Sequence, residues 1–290
     1  MKPAPFVHLA PDSLMDALEM LSEHTPDARV LAGGQSLVPL MNFRLSQPSC
    51  LIDINSISGL AYINDNGDHI AIGAMTRERC IENSDLVRNC IPLLYEATSY
   101  IGHAPIRNRG TIGGSIANAD PAAEYPAVTL ALDCQMILHS VRGVRRVSAA
   151  QFFNGIMSSV LEPDELLVEI IVPKRVGCFG SAFMEVTRRH GDFALVGIAA
   201  QLTLSGKNVT DVQLAACGVG PTPIRLSLAE HEISEHGMTD IAVKSAARAA
   251  ANEVNPTGDL HATADYRRRL TAVLTWRALL KAQERARKSA

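Results

Sequence analysis

Paired cysteines are missing from this sequence. Its six cysteines (Cys50, Cys80, Cys90, Cys134, Cys178, Cys217) are scattered, the nearest two being ten residues apart. That spacing provides no C-x-x-C redox or zinc pair and no cluster-binding run, so the thiols read as buried small hydrophobes or isolated groups. Aromatic residues are scarce at 4%, with one tryptophan, which leaves little for stacking on single-stranded nucleic acid. A net charge of −3 and a pI near 6.3 give no electrostatic reason to expect nucleic acid or an anionic membrane as partner. The longest apolar stretch, 194–204, is broken by Gly197 and Gln201 and is too short to span a bilayer. The opening MKPAPFVHLAPDS holds one lysine and no apolar run, so no secretory signal is read there and a cytoplasmic setting is expected. The nine histidines show no H-E-x-x-H spacing, so no metal site is expected, and no Ser/His/Asp set stands out. There is neither a G-x-G-x-x-G opening a helix nor a G-x-x-x-x-G-K-[ST]. Internal repeats and low-complexity linkers are absent too.

What is present is an ordinary globular composition, 47% hydrophobic and 20% charged over 290 residues, long enough for two or three subdomains. Residues 6–9 read as a strand. Ser13 followed by Asp16 has capping-box spacing, and Leu14, Ala17, Leu18 and Leu21 form one apolar helical stripe. Strands are expected at 28–31 and 50–54, and Asn66-Gly67 marks a hairpin between 60–63 and 69–72. Helical pattern dominates 76–101. The stretch 102–121, rich in glycine, proline and asparagine, reads as a long structured loop, and loops of that length inside a domain are usually functional. A helix at 124–132 and strands near 135–141 and 166–172 follow. Antiparallel strands are expected at 181–187, 194–204 and 209–217. Two helices close the chain: 239–254, stopped by Asn255-Pro256, and 263–287, with Tyr266, Leu270, Val273 and Leu274 on one face. The charges Arg267–Arg269, Arg285, Arg287 and Lys288 read as a solvated helix face.

Two segments carry a chemical signal: Ala32-Gly33-Gly34-Gln35-Ser36 and Thr111-Ile112-Gly113-Gly114-Ser115. Paired glycines let successive backbone N–H groups line one concavity that a ligand can approach closely. Such nests bind anions, above all phosphate oxygens. Ser36, Thr111 and Ser115 add hydroxyls. Each pair alone is equally well a turn. Two of them, with Asn118-Ala119-Asp120-Pro121 beyond the second, suit a dinucleotide diphosphate held from both sides.

The string LAGGQSLVPLMNFRLSQP at 31–48, followed by CLIDI, resembles the first FAD-binding segment of the molybdenum-hydroxylase flavoprotein subunits, the xanthine dehydrogenase and carbon monoxide dehydrogenase family. IRNRGTIGGSIANADPAAEYP at 106–126 resembles the second. RRHGDFALVGIAA at 188–200, GVGPTPIR at 218–225 and DLHATADYRRRL at 259–270 are also similar, so the resemblance covers essentially the whole chain. It implies an α+β architecture: a vanillyl-alcohol-oxidase/p-cresol-methylhydroxylase-type FAD-binding fold of two α/β subdomains over 1–175 (about 1–57 and 58–175). A carbon monoxide dehydrogenase flavoprotein-type C-terminal domain, an antiparallel sheet with helices, follows at 178–290.

By that resemblance Ala32–Ser36 and Thr111–Ser115 hold the FAD diphosphate through backbone amides, and Asn118 and Asp120 lie along the ribityl or ribose portion. Glu124 matches an acidic position that contacts FAD in xanthine dehydrogenases; by residue type it is equally a carboxylate favoured at a helix N-terminus. Ile101 and Ile106 either line the flavin or belong to the core. Asp192-Phe193 matches the place where relatives bring an aromatic, often tyrosine, against the flavin ring. Phenylalanine keeps the stacking face and loses the hydroxyl; alternatively it is the first core residue of the next strand. Arg107 and Arg109 either offset phosphate charge or are solvated. The resemblance further implies a large molybdenum-pterin subunit, a small subunit with two [2Fe–2S] clusters, an arrangement as a heterotrimer or a dimer of heterotrimers, and NAD, a quinone or oxygen as external acceptor. The inserted [4Fe–4S] segment of the 4-hydroxybenzoyl-CoA reductase type is excluded by the cysteine pattern and length. Two rival readings are a self-sufficient flavin reductase or oxidase of the same fold, such as a UDP-N-acetylenolpyruvoylglucosamine reductase, and a non-catalytic assembly subunit without flavin.

Overall fold

Three larger sheets, one parallel and two antiparallel, and a two-stranded ribbon are formed by the described residues. They are seen in a computed structural model that describes residues 2–289. The first contains β1 (Val7–Leu9), β2 (Ala28–Leu31) and β3 (Cys50–Asp53) in the order β1-β3-β2, both pairings parallel. The crossovers are α1 (Leu14–His24) and α2 (Leu37–Asn42). Helix α1 starts where the Ser13 hydroxyl accepts the Asp16 N–H (3.1 Å), and its Ala17, Leu18 and Leu21 are buried against Ala28, Cys50 and Ile52. The sequence stripe and cap thus act as expected.

The second sheet is antiparallel, β4 (Ile63–Asp65), β5 (His69–Gly73), β6 (Gln135–Ser140), β7 (Gly143–Ser148) and β10 (Leu166–Pro173), in the order β4-β5-β10-β6-β7. Between β5 and β6 run α3 (Glu78–Glu82), α4 (Asp85–Cys90), α5 (Pro92–Thr98), α6 (Ala104–Arg107), α7 (Ile112–Asn118) and α8 (Glu124–Ala131). A short helix α9 (Ala149–Phe152) and the ribbon β8 (Phe153–Gly155) and β9 (Ser158–Ser159) precede β10. The helical pattern expected over 76–101 is broken into three pieces, because Ser84 caps a new helix at Asp85 and Pro92 opens another. The stretch 102–121 contains two short helices rather than loop alone. Helix α7 forms despite its two glycines because Thr111 caps it and Ile112 and Ile116 are fully buried.

The third sheet, β11 (Cys178–Val186), β12 (Val196–Ser205), β13 (Asn208–Cys217) and β14 (Ile224–Arg225), is an antiparallel meander. It is followed by α10 (Ser227–His236), α11 (Asp240–Glu253) and α12 (Ala264–Lys288); α10 has no counterpart among the expected elements. Alternation along the strands explains their apolar runs. Ala182, Ile198, Ala200, Leu214 and Ala216 face the C-terminal helices, while Phe183, Ala199, Ala215 and Cys217 join the core around α8. Helix α8, covered on all sides, is buried at every residue. The apolar face of α12 is set by Thr271, Leu274, Ala278 and Ala282; Tyr266 and Val273 point outward, so the face read from the sequence is rotated. Nor are all the arginines of α12 solvated. Arg267 is buried, and Arg285 pairs with Glu96 of α5 at 2.6 Å. No helix among the described residues is long and apolar enough to cross a membrane.

Candidate functional site

The first glycine string leaves the carboxyl end of β2, where open parallel sheets gather their ligands. Its peptide planes are held from behind. The Asn55 Nδ2 donates to the Ala32 carbonyl (2.9 Å), and the Gln35 Nε2 donates to the Gly33 carbonyl (3.0 Å). In a trans peptide the next N–H points the opposite way, so the Gly33 and Gly34 N–H groups are turned away from the side-chain amides that hold these carbonyls. Among the described residues, the backbone N–H groups of Gly33, Gly34, Gln35 and Ser36 have no acceptor in the protein. Gln35 thus shapes the loop with its side chain while its own backbone N–H stays without a protein acceptor. Ser36 stands exposed before α2 and makes no side-chain cap.

The second string behaves differently: four of its five backbone N–H groups, Ile112 to Ser115, already have acceptors within the protein. Ile112 N–H donates to Thr76 O (3.1 Å), Gly113 N–H to Ala74 O (2.9 Å) and Ser115 N–H to Thr111 O (3.0 Å). Gly114 N–H is taken by the Thr111 hydroxyl at 3.1 Å. These amides are spent on the sheet and on the first turn of α7. Ile112 is a core residue, and Gly113 is needed because a Cβ there would lie 2.7 Å from Ala74 O. What this segment presents at its partly exposed positions is Gly114, the Ser115 hydroxyl, Asn118 and Asp120. Asn118 leans on Met157 Sδ (3.6 Å), and Asp120 accepts the Ala122 N–H (2.9 Å).

The two strings meet. A Cβ on Gly33 would drive into the Arg109 carbonyl oxygen and come within 2.9 Å of Gly110 Cα; one on Gly114 would lie 3.5 Å from Ala32 Cβ. Two residues without any motif stitch the junction together. Arg77 donates to the Arg109 carbonyl with one guanidinium nitrogen and to Asn55 Oδ1 (2.6 Å) with another. Sequence reasoning missed both; the available signal was that Asn55 follows the carboxyl end of β3, beside that of β2. The Arg77 guanidinium is pulled below its usual pKa by desolvation and then by the neighbouring Arg109 charge. Arg109 is therefore a second cation at the junction. Arg107 fits neither expectation. It is buried in a two-point ion pair with Glu82 (3.0 Å) and donates to the carbonyls of Ile101 (2.9 Å) and Gly102 (3.0 Å).

Beneath the junction lies a buried carboxyl held well above the usual carboxylate pKa. Glu78 is 4% exposed, its Oε2 has no hydrogen-bond partner, and a Cβ on Gly110 would lie 2.6 Å from its Oε1. Burial, then repulsion from Glu124, pushes its pKa up from 4.5 to about 8. Neutral Glu78 adds no like charge where an anion would sit. Glu124, 6% exposed at the start of α8, is likewise raised by burial, to about 7, and Glu185 to about 9. A raised carboxyl pKa favours folding below the unfolded value, and that advantage is lost as pH rises through the folded one. Each such group lowers stability by up to about 1.4 kcal/mol per pH unit between the two values. Glu78→Gln is expected to flatten in part the fall in thermal midpoint between pH 5 and 8; an unchanged slope there would refute the raised pKa of Glu78.

A second wall forms further along. Gly191 lets the loop at 188–193 press against His103, whose Cε1 would lie 2.6 Å from a Cβ there, and the His103 and His190 rings are 6.0 Å apart. Phe193 in this loop is 66% exposed, which rules out the core alternative and leaves its ring face available. Asp192 is exposed beside Arg188 (4.0 Å). Ile106 is exposed, whereas Ile101 belongs to the core. Arg267 ties the C-terminal strings to this region: it donates to Leu195 O, to Gly218 O (3.1 Å) and to Asp259 (2.7 Å). Gly218 N–H in turn donates to Pro121 O (2.7 Å), just beyond the second string.

Four consecutive N–H groups without a protein acceptor, beside Arg77 and Arg109 and in a strand-end loop that leaves no room for a Cβ at Gly33, suit the diphosphate of a dinucleotide such as FAD. The comparisons with known proteins narrow the class. Residues 4–175 match the family described as FAD binding domain in molybdopterin dehydrogenase, and residues 181–282 match the CO dehydrogenase flavoprotein C-terminal domain. The chain is 41% identical to the 6-hydroxypseudooxynicotine dehydrogenase complex subunit alpha of Paenarthrobacter nicotinovorans, over 99% of this chain and 97% of the relative. It is 38% identical to the carbon monoxide dehydrogenase medium chain of Hydrogenophaga pseudoflava, over 96% and 97%. Among solved structures, carbon monoxide dehydrogenase from H. pseudoflava superposes with a TM-score of 0.96 at 39% identity, covering 98% of this chain and 99% of that one. Quinoline 2-oxidoreductase from Pseudomonas putida 86 does so with 0.93 at 34%, covering 100% and 99%. The chain belongs to the family of FAD-binding medium subunits of the molybdenum hydroxylases.

Proposed function

We propose that this chain is the flavoprotein subunit of a cytoplasmic molybdenum-containing hydroxylase or dehydrogenase, passing electrons from the [2Fe–2S] clusters of a small partner subunit through FAD to an external acceptor. In this reading a large molybdenum-pterin subunit oxidises the substrate, and the three chains form a heterotrimer or a dimer of heterotrimers. The observation that carries the proposal is the apposition of the two glycine strings at Gly33 and Arg109, with four consecutive backbone N–H groups, Gly33 to Ser36, that have no acceptor among the described residues. When bound, FAD takes electrons singly and releases two together, which joins one-electron clusters to a two-electron acceptor such as NAD, a quinone or oxygen. The chain's own residues bind and orient. Gly33–Ser36 would hold the diphosphate, with Ser115, Asn118 and Asp120 along the chain that links it to the ring. Glu124, Asp192 and Phe193 would approach the flavin, Phe193 offering a face to the ring. The names of the relatives support a multisubunit setting, being a medium chain and a subunit of a dehydrogenase complex.

The chain alone, given FAD, is expected to bind it and to show no substrate oxidation. The copurified complex is expected to contain one FAD per copy of this chain and to lose its flavin absorbance when reducing substrate is added without acceptor. A chain that turns over by itself with FAD and NADPH would support the self-sufficient reductase instead.

A further inference from the structure

Two side chains outside the glycine strings, Asn55 and Arg77, join them. We infer that Asn55 and Arg77 are positioning residues for the cofactor diphosphate: they set the aim of the first loop's amides and hold the second loop against it. The inference rests on the FAD reading above and adds to it two residues that lie outside both strings.

Asn55 sits two residues past the end of β3, and its own conformation is fixed before it reaches the loop. Its N–H and its Nδ2 both donate to Asp53 Oδ1, at 3.0 and 2.5 Å. The same Nδ2 reaches the Ala32 carbonyl at 2.9 Å. With that carbonyl held, the peptide plane between Ala32 and Gly33 cannot rotate, and the Gly33 N–H stays directed away from Asn55. A glycine pair without such a hold samples many conformations, and fixing them would fall to the ligand. Asn55 therefore preorganises the loop.

Arg77 performs the complementary task. One nitrogen donates to Asn55 Oδ1 (2.6 Å), which orients the amide so that Nδ2 faces Ala32. Another donates to the Arg109 carbonyl, the very oxygen that a Cβ on Gly33 would strike. That hydrogen bond keeps the carbonyl's negative end occupied at a place meant for an anion. The planar, forked guanidinium suits this double reach, whereas an ammonium offers one point and cannot hold both acceptors at these separations. Arg77 also stands at the start of α3, so its backbone is anchored by the turn that carries buried Glu78. A positive charge beside the junction favours the diphosphate as well.

The test uses the full chain as purified, stripped of flavin and titrated with FAD by fluorescence, with ³¹P NMR of the bound cofactor. Asn55→Ala and Arg77→Lys are expected to weaken FAD binding about tenfold to a hundredfold. They should shift the diphosphate resonances and leave the visible absorption of the flavin ring unchanged. Asn55→Asp keeps the shape and a partner for Arg77 but loses the donor to Ala32, so it should weaken binding equally; it carries the test if the alanine variant does not fold. Affinities within twofold of the unmodified chain would overturn the inference, as would weaker binding with unmoved ³¹P resonances, which indicates general loosening. An unmodified chain that takes up no FAD would instead sink the reading on which the inference rests.

Discussion

Gly33→Ala is expected to leave the chain nearly devoid of FAD, its affinity reduced at least about a hundredfold. The added methyl would collide with the Arg109 carbonyl oxygen and lie 2.9 Å from Gly110 Cα, both backbone atoms. Neither can swing aside as a side-chain tip would. The second string must back away, and the Arg77 hydrogen bond to that same carbonyl is strained with it. Gly34→Ala provides the contrast. There the methyl would meet only side-chain atoms, Val38 Cγ2 at 3.2 Å and Leu31 Cδ1 at 3.3 Å, but the residue has φ +73°. A left-handed conformation costs a non-glycine residue roughly 1–2 kcal/mol, or about tenfold in binding if the loop relaxes when empty. Equilibrium titration with FAD should rank the two variants in that order. Wild-type affinity in Gly33→Ala would mean that the strings need not touch.

The second large effect is on stability. Arg267→Ala is expected to cost about 3 kcal/mol and to lower the unfolding midpoint by on the order of 5–10 °C. Arg267 is 7% exposed, and its loss strands the buried Leu195 carbonyl and breaks the contacts to Gly218 and Asp259. Three separate segments, the end of the 188–193 loop, the turn after β13 and the approach to α12, converge on this one guanidinium. Arg267→Lys should recover little, because a single ammonium cannot reach all three acceptors. Thermal melts of the purified chain decide the matter. A midpoint within about 2 °C of the unmodified chain, a change expected of surface substitutions, would show that the arginine is replaceable there.

The same residue shows where sequence reasoning stops. Within the run Arg267-Arg268-Arg269 nothing local distinguishes the buried arginine from its neighbours; only the tertiary arrival of Leu195 and Gly218 selects it. Elements whose causes are local were legible: the Ser13 cap, the Leu18 and Leu21 stripe, the Asn255-Pro256 stop, the long strands after 178. Helix α7 was not, since its glycines argue against helix while its support comes from the Thr111 cap and the burial of Ile112 and Ile116. The site divides similarly. Gly33 and Gly34 announce close approach by composition, but the use of the Gly113 and Gly114 amides within the protein depends on Ala74 and on the capping turn. Asn55 and Arg77 belong to no motif, and they meet the loops only because β2 and β3 end side by side.

A crystal structure of the chain with FAD bound tests the central claim most directly. The account places diphosphate oxygens within about 2.7–3.2 Å of the Gly33–Ser36 N–H groups, between that loop and the start of α7 at Ser115. A diphosphate seated away from these amides, or held by one string with the other turned aside, would contradict it.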